Sequence, residues 1–239
     1  MKDKYIGVTG ITTKEHVELM TKILEGYLGM YGILMSPATL KGKTRAGRWA
    51  NLNDIPRLMK LMPDSALRTI HWGDYGGCNN SKIEEAINSA QGQCNAIQLN
   101  LVYPPPEIFE ILKCDYSLKT IFQIEKCMFE DPEIMKKKMQ PYQGFVDYVI
   151  IDQSMGAGKL LNTEISEAVA EKIKGLGLGV VFAGGLNDVR VKRISDLVNK
   201  FNASVVAEGQ LMKDFEDGLD ISEVENYLRA AVHVVHPKK

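Results

Sequence analysis

Hydrophobic and polar positions alternate along this chain between two patterns. Short, continuously apolar runs are each followed by a longer segment in which apolar residues recur every three or four positions. The runs predict strands at 4–10 (KYIGVTG), 28–35 (LGMYGILM), 67–73 (LRTIHWG), 96–101 (AIQLNL), 118–125 (LKTIFQIE), 146–152 (VDYVIID), 179–184 (GVVFAG) and 203–209 (ASVVAEG). The segments between them predict helices, ending with ISEVENYLRAAVHVV. Start signals accompany several: a Thr12-x-x-Glu15 capping box, Asn80-Ser81 ahead of a helix, and Pro104 to Pro106 in a first turn. Strands that are apolar throughout are parallel strands covered on both faces by crossover helices. Eight strand–helix pairs without a composition break predict an α/β fold, a single (β/α)8 TIM barrel over residues 1–239. A doubly wound open sheet is the alternative, but it has fewer units and a Gly-rich first turn.

That architecture says where to look for chemistry, because barrel active sites lie at the C-terminal ends of the strands. Strand 7 ends in Ala183-Gly184-Gly185 and strand 8 in Glu208-Gly209-Gln210. Loops there bind phosphate through bare backbone N–H groups, which glycine exposes; a plain tight turn is the competing reading of Gly184-Gly185. After strand 6, DQSMGAGK puts Asp152 at the strand end, then Gly156, Gly158 and Lys159. The glycine spacing is not that of a P-loop. It suits a turn that folds over an anion, with Asp152 as general acid or base, or as a helix cap. If Tyr5, Gly7 and Thr9 share a parity, Thr9 faces the mouth, where its hydroxyl positions a substrate or water but is a poor base.

One connection is unusually long, Ser36 to Asn51, and long loops inside compact domains are often functional. It carries Lys41, Lys43, Arg45 and Arg48, either a grip for a second anionic group or a solvated basic stretch. His71, Asp74 and Glu125 near strand ends are alternative bases, and Gln98 and Asn100 on strand 4 offer hydrogen bonds without proton transfer.

Composition narrows the field. With 29 Lys+Arg against 30 Asp+Glu, a net charge of −1 gives no pull toward nucleic acid or an anionic membrane. No run approaches a membrane span, the N-terminus lacks a signal peptide's apolar stretch, and Cys78, Cys94, Cys114 and Cys127 lack CxxC spacing. The expectation is a cytoplasmic protein with reduced thiols, no metal, no membrane and no nucleic-acid partner. Apolar residues around strand 2 and in AAVHVV suit either a homodimer face or barrel–helix packing.

These motifs, in this order, resemble the phosphoribosylanthranilate isomerase family. That family has Lys-Ile-Cys-Gly-Ile-Thr on its first strand and Gln-Leu-His on strand 4. An Asp precedes a Gly-Lys turn after strand 6, and Ala-Gly-Gly-Leu-Asn follows strand 7. Here stand GVTGIT (7–12), QLN (98–100), DQSMGAGK (152–159) and AGGLND (183–188). The resemblance implies an intramolecular aldose–ketose isomerisation of the Amadori type in tryptophan biosynthesis, on a small phosphorylated metabolite and without cofactor. It implies a phosphate site at Gly156, Gly158, Gly184, Gly185 and Gly209, with Gln98, Asn100 and Lys159 toward the rest of the substrate; from the long loop, Lys41 and Arg45 are expected to join them, although the family's arginine after strand 2 is not in its usual Ser-Pro-Arg context here. Asp152 matches the family's acid, while Thr9 stands where the family has its basic cysteine. Asn100 replaces a histidine, and AEGQ replaces a Ser-Gly pair, bringing the Glu208 carboxylate near the expected phosphate unless Lys159 or Lys213 neutralises it. A diverged phosphosugar enzyme pairing Asp152 with another base, or a catalytically silent ligand- or protein-binding barrel, is the alternative.

Overall fold

A computed structural model describes residues 2–43, 47–74, 76–101, 103–124, 129, 131–153, 161–213 and 218–237. Eight parallel strands close into a barrel in sequence order, β1 (Ile6–Thr9), β2 (Gly29–Met35), β3 (Leu67–Asp74), β4 (Ala96–Leu101), β5 (Lys119–Gln123), β6 (Tyr148–Ile151), β7 (Gly179–Phe182) and β8 (Ser204–Ala207). Closure comes from β8 pairing with β1, Ile6 opposite Val205 and Val8 opposite Ala207. The helices α1 (Lys14–Ile23), α2 (Pro37–Leu40), α3 (Ile55–Leu61), α4 (Asn80–Ser89), α5 (Pro106–Cys114), α6 (Pro132–Met139), α7 (Thr163–Gly175), α8 (Asp188–Arg193), α9 (Ser195–Phe201) and α10 (Ile221–Val235) connect the strands. The barrel expected from the alternating pattern is the fold observed.

Local signals shift by a residue or split. α1 is capped by Thr13, whose Oγ1 accepts from His16 N; the hydroxyl of Thr12, the expected cap, instead donates to Gly47 O at 3.2 Å. Asn79 rather than Asn80 caps α4, its side chain accepting from Lys82 N. The single helix expected between the seventh and eighth strands is two, α8 and α9, meeting at Ile194 with φ −105° and ψ 14°. The long connection after β2 begins with a helical turn, α2, closed by a reciprocal Ser36–Thr39 capping box.

Two apolar cores follow from the strand alternation. One lies between strands and helices and takes in Ile6, Val8, Ile33, Trp72, Phe122, Phe182 and the inner face of α10. The other fills the barrel itself with Tyr5, Met30, Leu67, Ala96, Ile121, Tyr148, Ile150, Val181, Ala183 and Val206. Tyr5 and Tyr148 meet edge-to-face at 5.1 Å, near the N-terminal ends of their strands. The apolar residues of β2 and of AAVHVV are used here: all of β2 is buried, as are Ala230, Ala231, Val234 and Val235. No described helix is long and apolar enough to cross a membrane, and Cys78, Cys94 and Cys114 are free thiols.

Just before β6, a buried carboxylate gathers cations. Asp147, 1 % exposed, accepts from Lys2 Nζ at 2.5 Å and from the Thr120 amide at 3.2 Å, with Lys113 and Lys119 each at 3.6 Å. Burial opposes its charge, but the Lys2 ammonium and the Thr120 amide outweigh it and hold the carboxyl below the usual range. A depressed carboxyl stabilises the fold above its unfolded pKa and loses that contribution as pH falls through the folded one. Asp147→Asn is expected to lower stability at pH 7 by about 1–3 kcal/mol. In urea titrations the gap from wild type should narrow below about pH 4; an equal gap at pH 3 and pH 7 would refute the charged pairing.

Candidate active site

The parity that makes the barrel core also makes the mouth. Two residues beyond Val206 stands Glu208; beyond Ile150, Asp152; beyond Ile121, Gln123; beyond Ala96, Gln98 and then Asn100; beyond Gly7, Thr9. His71 follows Thr69 on β3 in the same way. Thr9, His71, Gln98, Gln123 and Asp152 are all buried. A polar ring thus lies on an apolar plug.

Thr9 reaches the interior because its neighbour gives way. Thr9 pairs with Gly32 on β2, and a Cβ at Gly32 would stand 2.5 Å from Thr9 Cγ2 and 3.1 Å from its Cα. Its hydroxyl donates to Glu208 Oε2 at 2.7 Å. Glu208 Oε1 accepts from Arg48 Nε at 2.6 Å and from Arg48 Nη2 at 2.5 Å. The pair is largely enclosed, with side-chain exposures of 24 % and 14 %. Neutralisation of Glu208 therefore comes from Arg48 and not from Lys213, which pairs with Asp220 at 2.9 Å.

Arg48 is delivered by backbone packing. Gly218, with φ +78°, lies so close to Gly47 that a Cβ on it would meet Gly47 O at 2.3 Å. The Thr12 hydroxyl holds the same carbonyl. His16 Nε2 binds Leu219 O at 3.2 Å, and Asp220 N donates to Leu211 O, so the segment after β8 is anchored to α1. The loop after β2, the loop after β8 and α1 together set the guanidinium over Glu208.

The other side of the mouth is made of neutral donors and acceptors. Gln98 Nε2 donates to Asn100 Oδ1 and lies 3.1 Å from His71 Nε2. His71 Nδ1 is buried without a hydrogen-bond partner and stands 3.9 Å from Glu208 Oε2. Gln98 Oε1 is likewise buried without one. Burial pushes the His71 imidazole down to about 4; the Glu208 carboxylate pulls it up, and the Arg48 guanidinium lowers it further. The ring is neutral near pH 7. On β6, Asp152 is 6 % exposed and accepts from Gln123 Nε2 at 3.5 Å.

The glycines expected to hold phosphate are placed in part. Gly184 and Gly185 have φ of +96° and +60°, Asn187 caps α8, and Arg190 Nη1 donates to Gly185 O at 2.9 Å. The tight turn into a capped helix is therefore present. A Cβ on Gly209 would enter open space, so packing does not demand the glycine. Gly156, Gly158, Lys159, Arg45 and Glu125 lie outside the described residues. Lys41 ends α2 exposed to solvent. Of the described loop cations, Arg48 enters the mouth and Lys41, expected there, does not. Asp74 is turned to its own loop, accepting from Gly76 N. Glu208, Gln123 and His71 were recoverable by extending the parity count that places Thr9; the position of Arg48 carries no such signal.

The chain can now be compared with known proteins. No protein-family model matches it. It is 27% identical over 200 residues to N-(5'-phosphoribosyl)anthranilate isomerase of Methanococcus aeolicus, covering 81% of this chain and 83% of that protein. A second protein of that name, from Pyrococcus abyssi, is 29% identical over 106 residues, 42% of this chain and 47% of the relative. Among solved structures, phosphoribosyl anthranilate isomerase from Thermus thermophilus superposes with a TM-score of 0.70 at 14% identity, over 95% of this chain and 97% of that one. A phosphoribosyl anthranilate isomerase in complex with reduced 1-(o-carboxyphenylamino)-1-deoxyribulose 5-phosphate gives a TM-score of 0.65 at 17% identity, over 95% and 98%. At these identities the structures testify to the barrel fold.

A buried neutral histidine has a thermodynamic signature. Its folded pKa of about 4 lies below the ordinary 6.5, so between those values the unfolded chain binds the extra proton. The stability that His71 permits is complete above pH 6.5 and is lost as pH falls toward 4. The urea midpoint of the wild type should therefore fall across this window, and His71→Gln should flatten part of the slope. An unchanged slope in the variant would mean that the ring is not held neutral in the fold.

Proposed function

We propose that this chain, a diverged relative of the phosphoribosylanthranilate isomerases by sequence and by fold, isomerises an N-substituted phosphoribosylamine to the aminoketose. N-(5'-phosphoribosyl)anthranilate is the substrate proposed, which makes this a step of tryptophan biosynthesis. The observation that carries the reading is Asp152, a carboxyl buried at the end of β6 inside a ring of polar side chains. It occupies the position of the acid in the motif that the chain shares with that family.

In this reading the proton of Asp152 passes to the furanose ring oxygen. The C1–O bond breaks as the nitrogen lone pair forms a C=N bond. Removal of the C2 proton then gives an enolamine, and tautomerisation gives the ketone. Enclosure supports such chemistry, since a proton donor away from bulk water keeps its strength for the reacting atom. The loops after β6, β7 and β8 are proposed to take the phosphate on the backbone at Gly156, Gly158, Gly184, Gly185 and Gly209. Open space at Gly209 and left-handed backbone at Gly184 and Gly185 support that assignment. The Arg48–Glu208 pairing removes the objection that a bare carboxylate would repel the anion. Gln98 and Asn100 are left as hydrogen-bond partners for the sugar hydroxyls.

The test is turnover, followed as loss of substrate fluorescence. Wild type is expected to be active, and Asp152→Asn to lose about 10²–10⁴-fold in kcat while still binding the reduced aminodeoxyribulose phosphate. A folded wild type that binds this analogue and does not turn over N-(5'-phosphoribosyl)anthranilate would overturn the assignment.

A further inference from the structure

The proposed reaction needs a proton acceptor, and Thr9 is a poor one, because a hydroxyl without an activating neighbour does not take a proton near pH 7. The geometry points to Glu208 as the catalytic base, a carboxylate recruited from the end of β8 to do what a residue of β1 does in the family's motif. This rests on the isomerase reading above and supplies the group that reading lacks.

Three observations converge. First, Glu208 Oε2 lies 2.7 Å from the Thr9 hydroxyl, so the carboxylate stands beside the position the base would occupy. Second, its orientation is fixed from the far side, since Arg48 holds Oε1 through Nε and Nη2 while Oε2 accepts from Thr9. A carboxylate oxygen has two lone pairs, so Oε2 keeps one for a substrate proton. Third, His71 Nδ1, buried and without a hydrogen-bond partner, lies 3.9 Å from that same oxygen. With Gln98 donating to Nε2, the neutral ring carries its proton on Nδ1. A hydrogen-bond donor and a proton acceptor thus stand side by side, an arrangement in which the donor holds the C2 hydroxyl while the acceptor takes the C2 proton.

The proton balance closes. Asp152 gives its proton to the ring oxygen. Glu208 takes the proton from C2; the C–H electrons form the C1=C2 bond, and the C=N electrons return to nitrogen. The enol hydroxyl then passes its proton to Asp152 while C1 takes the proton from Glu208. Both carboxyl groups end as they began, with no co-reactant. Thr9 in this scheme is a positioning residue that aims Oε2.

Facing the Glu208 carboxylate are the Arg48 guanidinium, the His71 ring and the Thr9 hydroxyl, with Asp152 two strands away on β6. Glu208→Gln, which keeps size and an acceptor oxygen, is expected to lower kcat about 10²–10⁴-fold and leave binding of the reduced aminodeoxyribulose phosphate within a few-fold of wild type. It should also abolish the rise of kcat with pH on the acidic side. Glu208→Asp, a carboxylate one methylene shorter, should retain that rise at reduced kcat, which a purely structural role would not produce. Thr9→Val should lower kcat in the wild type and add nothing in the Glu208→Gln background. A wild type without turnover overturns both this inference and the isomerase reading. An active wild type with an equally active Glu208→Gln overturns this inference alone. So does an acidic limb that survives Glu208→Gln and disappears in His71→Gln.

Discussion

In a closed parallel barrel each strand has one decision to make, which set of alternate side chains faces inward, and every strand must agree. The remaining organisation of this molecule follows from that constraint. Ile121, Ile150 and Val206 fill the interior, and the next inward position on their strands belongs to the mouth. Residues as far apart in sequence as Thr9 and Glu208 are thereby brought within hydrogen-bonding distance. An apolar plug lies beneath them. Asp147, just before β6, draws in three lysines on the other side of that plug.

Charge in the mouth is arranged for orientation more than for attraction. The Arg48–Glu208 pair cancels itself, and His71 is neutral near pH 7. In the proposed reading, anion affinity falls on backbone N–H groups at the glycine turns, which act at short range and are not screened away like surface charge. The pair instead fixes the direction of a carboxylate in a partly enclosed space, where a freely rotating one would be of little use to a reacting atom.

Much of this was legible from the pattern of residues. Each strand lies within two residues of its expected ends, because continuous apolar runs in parallel sheets are hard to mistake. The break between α8 and α9 was not legible, since the helical period runs through Ile194 undisturbed. The caps of α1 and α4 moved by one residue, in the first case because the Thr12 hydroxyl is taken by Gly47, 35 positions along the chain, rather than by its own helix. In the site, Asp152, Thr9, Gln98 and Asn100 could be placed by counting along strands. Glu208 was visible as a carboxylate near the mouth, but its partner was not. Arg48 sits in a loop with no period to read, and only tertiary packing says which of that loop's cations turns inward.

The contact of Gly218 with Gly47 has a consequence for how this barrel can vary. In most barrels the loops at the catalytic end are separate modules, each able to lengthen or change sequence while the others stand still. Here two of them touch backbone to backbone, with no side chain between to absorb a shift. The loops after β2 and β8 are therefore mechanically one body. Any change of sequence that parts them also withdraws the arginine that the first presents to the glutamate of the second.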